Sequence, residues 1–446
     1  MKKALTIAGS DSGGGAGIQA DLKVFSAFQV FGTSAITSLT AQNSKGVQGV
    51  EDCSPEFVVL QIRSVMEDIG ADAAKTGMLS SRAIVNAVAD QLKKHPIPNL
   101  VVDPVMVSKN GSPLLQPDAV EALTKNILPL ALLVTPNLQE AAELTGMRIR
   151  SVADCEKAAR KIHETCGCSV LIKGGHGEGE TITDLLFHQD RFYPFQKPRI
   201  QTPHTHGTGC TLSAAITAGL ALGKDLLTSV SEAETYMDSV IRGAFQVGNG
   251  IGPTHPLREL YRSQERWLLY QQMRHAINML EVAEIGRLIP EVQSNLAACL
   301  PDPEGREDVI GFPGRINRFG NTIRTLSPPE FGFSRHVASI VLAIVQADPD
   351  RRAVMNIRYR EDLIDVAKRL GWTVGGFSRK EEPKEVQENE GSSLEWGTQH
   401  VIQTMGIVPD LIYDLGGEGK EEMIRVTGRD PVDVVEKILR MVSVVD

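Results

Sequence analysis

Short apolar runs alternate with helical patterns along the first part of the chain. This alternation predicts an α/β fold with an open, mainly parallel sheet flanked by helices. The predicted strands are Ala4–Ala8, Thr33–Leu39, Ala73–Thr76, Leu100–Val102, Leu132–Val134, Val170–Ile172 and Thr183–Phe187. Helical patterns fall between the strands, for example at Gln19–Phe28, Pro55–Asp68, Glu140–Leu144 and Thr211–Leu222.

A segment rich in glycine and proline, residues 247–256, interrupts this alternation and predicts the end of a domain. A long amphipathic helix follows from about Arg258 to Ala283, and a second alternation of strands and helices comes after it. Its elements are Asp308–Gly311, Arg335–Ala347, Ala353–Arg358, Glu361–Leu370, Leu411–Asp414 and Val432–Met441. Since 446 residues exceed what one core usually supports, we expect two domains, residues 1–258 and a smaller α/β domain of residues 259–446.

Composition and charge narrow the classes of function. The net charge of −9 argues against an unaided nucleic-acid-binding protein. The apolar run after Lys3 ends at Gly9, which is too short for a signal peptide, and no stretch reaches the roughly 18 apolar residues of a membrane span. The cysteines lack zinc-type spacing, and the one close pair, Cys166 and Cys168, is expected to be structural. We therefore expect a cytoplasmic protein with neither a nucleic acid nor a membrane as partner.

Two glycine-rich segments are candidates for phosphate binding. The segment from Gly9 to Asp21 contains the pattern of a dinucleotide site, but the next predicted strand runs into Ala41-Gln-Asn43 without the carboxylate that would hold a ribose. The segment from Thr205 to Cys210 precedes a helix, and its backbone N–H groups suit the charge of a transferring phosphoryl group. Taken alone, this second segment is interpreted equally well as a glycine-rich turn around a buried cysteine.

Polar residues near the carboxyl ends of several strands favour the catalytic interpretation. Asp103, Asn137 and Lys173 each follow a predicted strand, at the edge where open α/β sheets bind ligands. The i, i+3 spacing of Asn137 and Glu140 is expected to aim an amide and a carboxylate at one point, which suits the waters of a Mg²⁺ ion on ATP. Cys210 stands at a helix start, where the dipole lowers the pKa of a thiol, so it could accept a proton from an attacking hydroxyl. The pattern predicts an ATP-dependent kinase of small molecules.

These motifs resemble the ribokinase-like superfamily, and within it the hydroxymethylpyrimidine/phosphomethylpyrimidine kinases of thiamin biosynthesis. The matching segments are Thr6–Ser10, Gly14–Lys23, Ala41–Asn43, Lys75–Leu79, Thr135–Asn137, Lys173–His176 and His204–Cys210. The resemblance extends to about residue 255. Most superfamily members carry an aspartate where this chain has Cys210, and a cysteine there is typical of the pyrimidine kinases and their pyridoxal kinase relatives. A pyridoxal kinase is therefore the alternative.

The resemblance implies ATP as co-substrate, Mg²⁺, and two phosphorylations, of 4-amino-5-hydroxymethyl-2-methylpyrimidine and of its monophosphate. The implied catalytic residues are Gly207, Gly209 and Cys210. The implied substrate-binding residues are Gly9, Asp21, Gln42, Met78 and Val105, with the carboxamide of Gln42 matching an aminopyrimidine edge. The implied ATP-binding residues are Asn137, Lys173, Thr205 and Thr208, and the implied metal ligands are Asp103 and Glu140. His176, His204 and His206 are expected to shape phosphate loops rather than to bind a metal.

The second predicted domain is rich in arginine. Nine arginines and no lysine lie between Arg306 and Arg360, and the planar guanidinium group suits phosphate oxygens, although arginine runs are often only solvated faces. The segment from Gly416 to Lys420 is a further candidate phosphate loop. Arg315 lies in the densest part of the run, and His336 stands at the start of a predicted helix, where an anion is favoured.

Part of this domain resembles the thiamin-phosphate synthase domain that is fused to such kinases, mostly in archaea. The matching segments are Gly311–Ile316, Gly332–His336, Glu395–Gly397 and Asp414–Lys420. The resemblance implies coupling of the pyrimidine pyrophosphate with thiazole phosphate to give thiamin phosphate and pyrophosphate. It implies Arg315 as a ligand of phosphate charge, while His336 is open between phosphate binding and proton transfer. A ligand-sensing domain without turnover is the alternative, and a homodimer is the expected assembly.

Overall fold

The computed structural model describes residues 1–107, 111, 114–175, 179–333, 336–379, 382–383, 392–417 and 420–445, with only the backbone at 336, 392 and 393. The chain divides into two compact units, Met1–Leu260 and Tyr261–Asp446. None of the described helices combines the length and the apolar character needed to cross a bilayer.

The first unit contains a nine-stranded sheet in the order β3-β2-β1-β4-β5-β6-β7-β8-β9. The strands are β1 Lys3–Asp11, β2 Phe31–Asn43, β3 Gly46–Asp52, β4 Ala73–Thr76, β5 Leu100–Val102, β6 Leu133–Val134, β7 Ser169–Ile172, β8 Thr181–His188 and β9 Arg191–Pro198. The six strands from β2 to β7 in this order pair in parallel, while β3, β8 and β9 pair antiparallel. The expected open, mainly parallel sheet is confirmed.

Helices cover both faces of this sheet. They are α1 Gly17–Ala27, α2 Pro55–Asp68, α3 Arg82–Lys94, α4 Pro117–Ala122, α5 Leu138–Thr145, α6 Val152–Cys166, α7 Thr208–Ala221 and α8 Leu226–Arg242. Successive residues of the central strand β5 lie on opposite faces of the sheet and belong to different hydrophobic cores. Val102 packs in the core that contains α3, and Val101 packs in the core that contains α7. Because both faces of these strands are covered, their sequences are continuously apolar, and polar groups are concentrated where the strands end.

The second unit is a smaller α/β arrangement, and its seven-stranded sheet has the order β14-β11-β10-β15-β18-β17-β16. The strands are β10 Leu296–Cys299, β11 Val309–Gly311, β14 Glu330–Phe331, β15 Ala353–Arg358, β16 Val374–Phe377, β17 Leu411–Asp414 and β18 Met423–Gly428, with β12 Ile316–Phe319 and β13 Thr322–Thr325 as a separate ribbon. The helices are α9 Arg258–Glu281, α10 His336–Ala347, α11 Glu361–Arg369, α12 Ser392–Met405 and α13 Pro431–Val445. In this sheet only β16 and β17 pair in parallel; the other neighbours pair antiparallel.

Candidate active sites

Two glycine-rich loops of the first unit meet at the start of α7. Gly207 caps this helix with φ +81°, and a Cβ atom there would lie 1.9 Å from the backbone oxygen of Gly15. A Cβ atom at Gly15 would in turn lie 2.5 Å from Cδ2 of His206. The first N–H groups of a helix have no partner within it, so those of Gly209 and Cys210 are oriented to bind an anion.

The carboxylate of Asp11, at the end of β1, holds this arrangement together. It accepts hydrogen bonds from the backbone N–H groups of Gly13, Gly15 and Ala16, at 2.8, 3.0 and 2.8 Å. One of its oxygens also lies 2.8 Å from Nε2 of His206. Burial alone would raise the pKa of Asp11, but the hydrogen bond and charge of His206 and the backbone N–H groups lower it. We did not predict Asp11 as a site residue; its place shortly after the predicted strand Ala4–Ala8 and before a glycine run was the available signal.

A buried ion pair lies beneath the loop. Nζ of Lys75 is 2.7 Å from Oδ1 of Asp21, both side chains are 0% exposed, and Oδ2 of Asp21 accepts the hydroxyl of Thr6 at 2.7 Å. Asp21 therefore has both oxygens engaged inside the protein, and the structure does not place it on an open surface where a substrate would contact it directly. Lys75, a charged residue within the fully buried strand β4, was missed as a site residue.

Cys210 interacts with both Lys75 and the start of α1. The N–H of Gly17 donates to its sulfur, and the charge of Lys75 favours the thiolate. The prediction of a lowered pKa is nevertheless wrong. Burial raises the pKa of the Cys210 thiol to about 11, and the charges of Asp21 and Asp103 act in the same direction. The desolvation of the thiol outweighs the helix dipole, whose effect is about 1 kcal/mol or less.

Asp103 and Lys173 form a second ion pair directly beside the anion loop. Nζ of Lys173 is 2.8 Å from Oδ1 of Asp103, which also accepts the hydroxyl of Thr135 at 3.2 Å. A Cβ atom at Gly209 would lie 3.3 Å from Nζ of Lys173 and 3.6 Å from Oδ2 of Asp103. Burial alone would raise the pKa of Asp103, but the charge of Lys173 and then that of Lys75 more than offset it, so this pKa is lowered.

The spacing of Asn137 and Glu140 has a different role from the one expected. Asn137 caps α5 and accepts the N–H groups of Gln139 and Glu140 at 2.9 Å, while Glu140 accepts the N–H of Asn137 at 2.8 Å. The two residues thus form a capping box and do not aim side by side at one outside point. Glu140 still lies near the site, 4.0 Å from Nζ of Lys173, and burial raises its pKa to about 7.

The residues expected at the pyrimidine are brought together in part. A Cβ atom at Gly9 would lie 3.1 Å from the sulfur of Met78, so these two residues share a wall. Nε2 of Gln42 is 3.3 Å from Nε2 of His206, which places Gln42 at the anion loop. Val105 is half-buried two residues beyond Asp103.

The neighbouring loop residues shape the approach to α7. The N–H of Thr208 lies 3.5 Å from the carbonyl of Thr205. His204 accepts the N–H of Gly252 at 3.0 Å, and the backbone N–H of His206 donates to the carbonyl of Gly252 at 3.1 Å. His176 lies outside the described residues. Within the part of the chain that the structure describes, no cluster of three His, Cys, Asp or Glu residues could hold a metal ion.

Of the two residues expected to act in the synthase domain, the structure describes the side chain of Arg315 but not that of His336. Arg315 is exposed, adopts φ +64°, and donates from Nη1 to the carbonyl of Val292. His336 is the first residue of α10, and its side chain lies outside what is described. In the candidate loop, Gly417 and Lys420 exchange backbone hydrogen bonds of 3.0 Å, and residues 418 and 419 between them are not described.

Comparisons with known proteins agree with this division of chemistry. Residues 11–255 match the family profile described as Phosphomethylpyrimidine kinase, and residues 272–440 match that of Thiamine-phosphate synthase ThiN. A hydroxymethylpyrimidine/phosphomethylpyrimidine kinase of Rhizobium meliloti is 51% identical over 255 residues, which cover 56% of this chain and 96% of the relative. The thiamine biosynthesis bifunctional protein ThiED of Geobacter sulfurreducens is 45% identical over 251 residues, 56% of this chain and 51% of its own length.

Among solved structures, the ADP complex of Bacillus subtilis pyridoxal kinase is similar, with a TM-score of 0.55 and 40% identity over 58% of this chain and 98% of the other. These likenesses to curated relatives and solved structures concern little more than the first unit, and the match to the synthase profile concerns the second. The chain belongs to the phosphomethylpyrimidine kinase family and carries a ThiN thiamin-phosphate synthase domain after the kinase domain, so that it joins a kinase and a transferase of thiamin biosynthesis.

Proposed function

We propose that the first unit uses Mg-ATP to phosphorylate 4-amino-5-hydroxymethyl-2-methylpyrimidine and then its monophosphate. The second unit then couples the resulting pyrophosphate with thiazole phosphate to give thiamin phosphate. The observation that supports the kinase proposal most strongly is the convergence at the start of α7. There Gly209, in the first turn of the helix, lies beside the Lys173–Asp103 pair.

The first phosphoryl transfer needs a base and a stabiliser of negative charge. The hydroxyl oxygen of the substrate attacks the γ-phosphorus, the bond to the β,γ-bridging oxygen breaks, and the proton of the hydroxyl passes to the thiolate of Cys210. The charge of Lys75 favours that thiolate. The N–H groups of the Gly207–Cys210 loop and the ammonium group of Lys173 stabilise the charge that develops on the phosphoryl oxygens.

The residues around Lys173 fit a magnesium ion. Asp103 and Glu140 supply carboxylate oxygens, the ligands that Mg²⁺ prefers, and both carboxylates interact with the ammonium group of Lys173. A bound cation would also favour the charged form of Glu140, whose pKa is raised to about 7 by burial. We therefore assign Asp103 and Glu140 as the groups that would hold the ion, which when bound supplies charge neutralisation for the ATP phosphates.

The coupling reaction has modest chemical demands on the protein. Loss of pyrophosphate from the methylene group of an electron-rich aminopyrimidine leaves a stabilised cation, and the nitrogen of the thiazole adds to it. The protein must position two phosphorylated substrates and neutralise the departing pyrophosphate. We assign Arg315 to phosphate charge; its exposed guanidinium and strained backbone support a functional role.

Phosphorylation of pyridoxal is the second candidate for the first unit. The pyridoxal kinase of Bacillus subtilis shares 40% identity over 98% of its own chain. The carboxamide of Gln42 favours the pyrimidine, because an amide has both a donor and an acceptor for an aminopyrimidine edge. In the structure its Oε1 accepts from the hydroxyl of Thr40 and its Nε2 lies 3.3 Å from His206, contacts that the substrate would replace.

One incubation tests both parts of the proposal. The purified full chain is supplied with hydroxymethylpyrimidine, Mg-ATP and thiazole phosphate, and the products are followed by chromatography and mass spectrometry. We expect thiamin phosphate in the wild type and no phosphorylated pyrimidine with Cys210→Ala. Accumulation of the pyrimidine pyrophosphate alone would refute the synthase part, and a higher kcat/KM for pyridoxal than for the pyrimidine would refute the substrate assignment.

A further inference from the structure

The face of the second unit's sheet opposite to its main core carries buried arginines beside apolar residues such as Val354 and Ile412. Ile357 and Ile424 are paired across β15 and β18 and belong to the main core of this unit. The next pair, Arg358 and Met423, points to the opposite face, as does Arg425, two residues beyond Met423. Arg358 and Arg425 are thus diagonal neighbours on one face, at a spacing that long side chains can bridge.

Arg425 is buried with part of its hydrogen-bonding capacity unused. Its side chain is 1% exposed, and Nη1 donates to Oδ2 of Asp414 at 2.8 Å. Nη2 is buried and has no hydrogen-bond partner among the described residues. A buried N–H group without a partner destabilises the folded protein, and more so when the group is charged. The fold therefore maintains an unfavourable arrangement here, which a bound acceptor would relieve.

Asp414 is the acidic group that faces this arginine, and Arg425 shares it with a second arginine. Nε of Arg379 donates to Oδ1 of Asp414 at 2.8 Å, and the Arg379 side chain is 10% exposed. Burial alone would raise the pKa of Asp414, but the charge of Arg425 and the hydrogen bond and charge of Arg379 lower it. The carboxylate is therefore ionised at neutral pH, and two guanidinium groups share its single negative charge.

Arg358 adds a third guanidinium group to this face. Its Nε is buried and has no hydrogen-bond partner among the described residues. The glycine turn after β17 borders the same place, since a Cβ atom at Gly417 would lie 3.8 Å from Cβ and Cδ of Arg379. Farther along that turn, Lys420 lies 4.0 Å from the carboxylate of Glu382, so these two charges offset each other.

We propose that Arg358, Arg379 and Arg425, here called the arginine cluster, bind the phosphate or diphosphate group of a substrate of the second unit. The buried N–H groups of Arg358 and Arg425 then donate to its oxygens. A phosphate group matches the observations because two of its oxygens can accept hydrogen bonds from the planar fork of one guanidinium group, and because it supplies the negative charge that the cluster lacks. The identity of the substrate rests on the proposed synthase activity, whereas the binding of the anion does not.

The first test measures binding of inorganic pyrophosphate to the full chain by calorimetry, with a non-hydrolysable ATP analogue and Mg²⁺ saturating the first unit. We expect Arg358→Met to weaken binding at least about tenfold, the loss typical of a charged hydrogen bond. The matched control is Arg318→Met, which removes the same charge from an exposed arginine whose Nε donates to Gly320; its affinity should stay unchanged.

Thermal unfolding separates binding from a structural role. Since Nε of Arg358 has no hydrogen-bond partner among the described residues, Arg358→Met should leave the Tm of the free protein unchanged or raise it, while reducing the stabilisation by pyrophosphate. A lowered Tm together with normal pyrophosphate affinity would overturn the inference. Arg425→Lys is the second variant, because it keeps the charge near Asp414 and loses the fork.

Steady-state coupling kinetics identify which substrate the cluster binds. An increase in KM for thiazole phosphate alone assigns the phosphate of that substrate, and an increase for the pyrimidine pyrophosphate alone assigns the diphosphate. Pyrophosphate affinity and both KM values unchanged in Arg358→Met and Arg425→Lys would refute the arginine cluster as a site. If the wild type couples nothing but its pyrophosphate binding depends on Arg358, the synthase proposal fails and the anion site stands.

Discussion

At the residue scale, the state of Cys210 determines how the kinase responds to pH. Burial raises the pKa of this thiol to about 11, so only about one molecule in 10⁴ carries the thiolate at pH 7. If that thiolate is the base, kcat must rise with pH below 11, by up to tenfold per unit. We expect this slope in initial rates measured from pH 6.5 to 9. Cys210→Asp should flatten it, because a carboxylate is already ionised there. A flat wild-type profile with full activity in Cys210→Ala would exclude the thiolate mechanism.

The ion pair of Lys75 and Asp21 is the residue-scale feature whose loss should cost most. Both side chains are 0% exposed, so Lys75→Met leaves a buried carboxylate without its partner, at a cost of about 3–5 kcal/mol in the free energy of unfolding. Urea denaturation checks this value. The control is Lys125→Met, which breaks an i, i+4 pair with Glu121 at a lysine that is 69% exposed; because both groups are exposed to solvent, we expect little change in the free energy of unfolding. The double variant with Asp21→Asn should recover much of the loss, and strict additivity would contradict the pairing.

The sequence predicted some of these residues and could not predict others, for physical reasons. Asp103 and Lys173 were found because parallel strands end at one edge. The partner of Lys75 lies 54 positions away, and nothing local marks such a pair. The i, i+3 spacing of Asn137 and Glu140 fits a helix capping box as well as a ligand site. The positions of the side chains in the structure are needed to distinguish these two interpretations.

At the element scale, α7 requires a glycine at its N-terminal cap. Gly207 has φ +81° and no room for a Cβ atom beside Gly15. Gly207→Ala must therefore displace the loop after β1, and we expect a loss of kinase turnover of at least about tenfold together with lower stability. Gly146→Ala is the matched control: Gly146 is the C-terminal cap of α5 and also has a positive φ, +66°, but a Cβ atom there would meet only open space. That variant should cost about 1–2 kcal/mol of stability and keep its turnover. Equal turnover in both variants would show that the contact between the loops is unimportant.

Elements were predictable where burial left a clear pattern. The bounds of α2, β4, β5, β15 and β17 agree with the sequence prediction, since each lies in a mostly apolar or amphipathic segment. The edge strand β3 was not predicted because most of its residues are exposed, which removes the alternation on which such predictions depend. In the second unit the sequence indicated the alternation of strands and helices. It did not indicate that most neighbouring strands pair antiparallel, because that depends on the order of the strands in the sheet, and the sequences of short strands carry no signal for this order.

At the scale of the whole molecule, the two units have separate hydrophobic cores, and a boundary near residue 258 is the expected division. Ile84 lies in a core of the first unit and Ile438 in the main core of the second, at 1% and 0% exposure. We expect Ile84→Ala and Ile438→Ala each to cost about 2–5 kcal/mol and to lower different transitions in calorimetry. Ile438→Ala should leave the kinase working at temperatures where coupling has been lost, because the apolar contacts that stabilise each unit lie within that unit. A single transition that shifts equally in both variants would show instead that the units unfold as one.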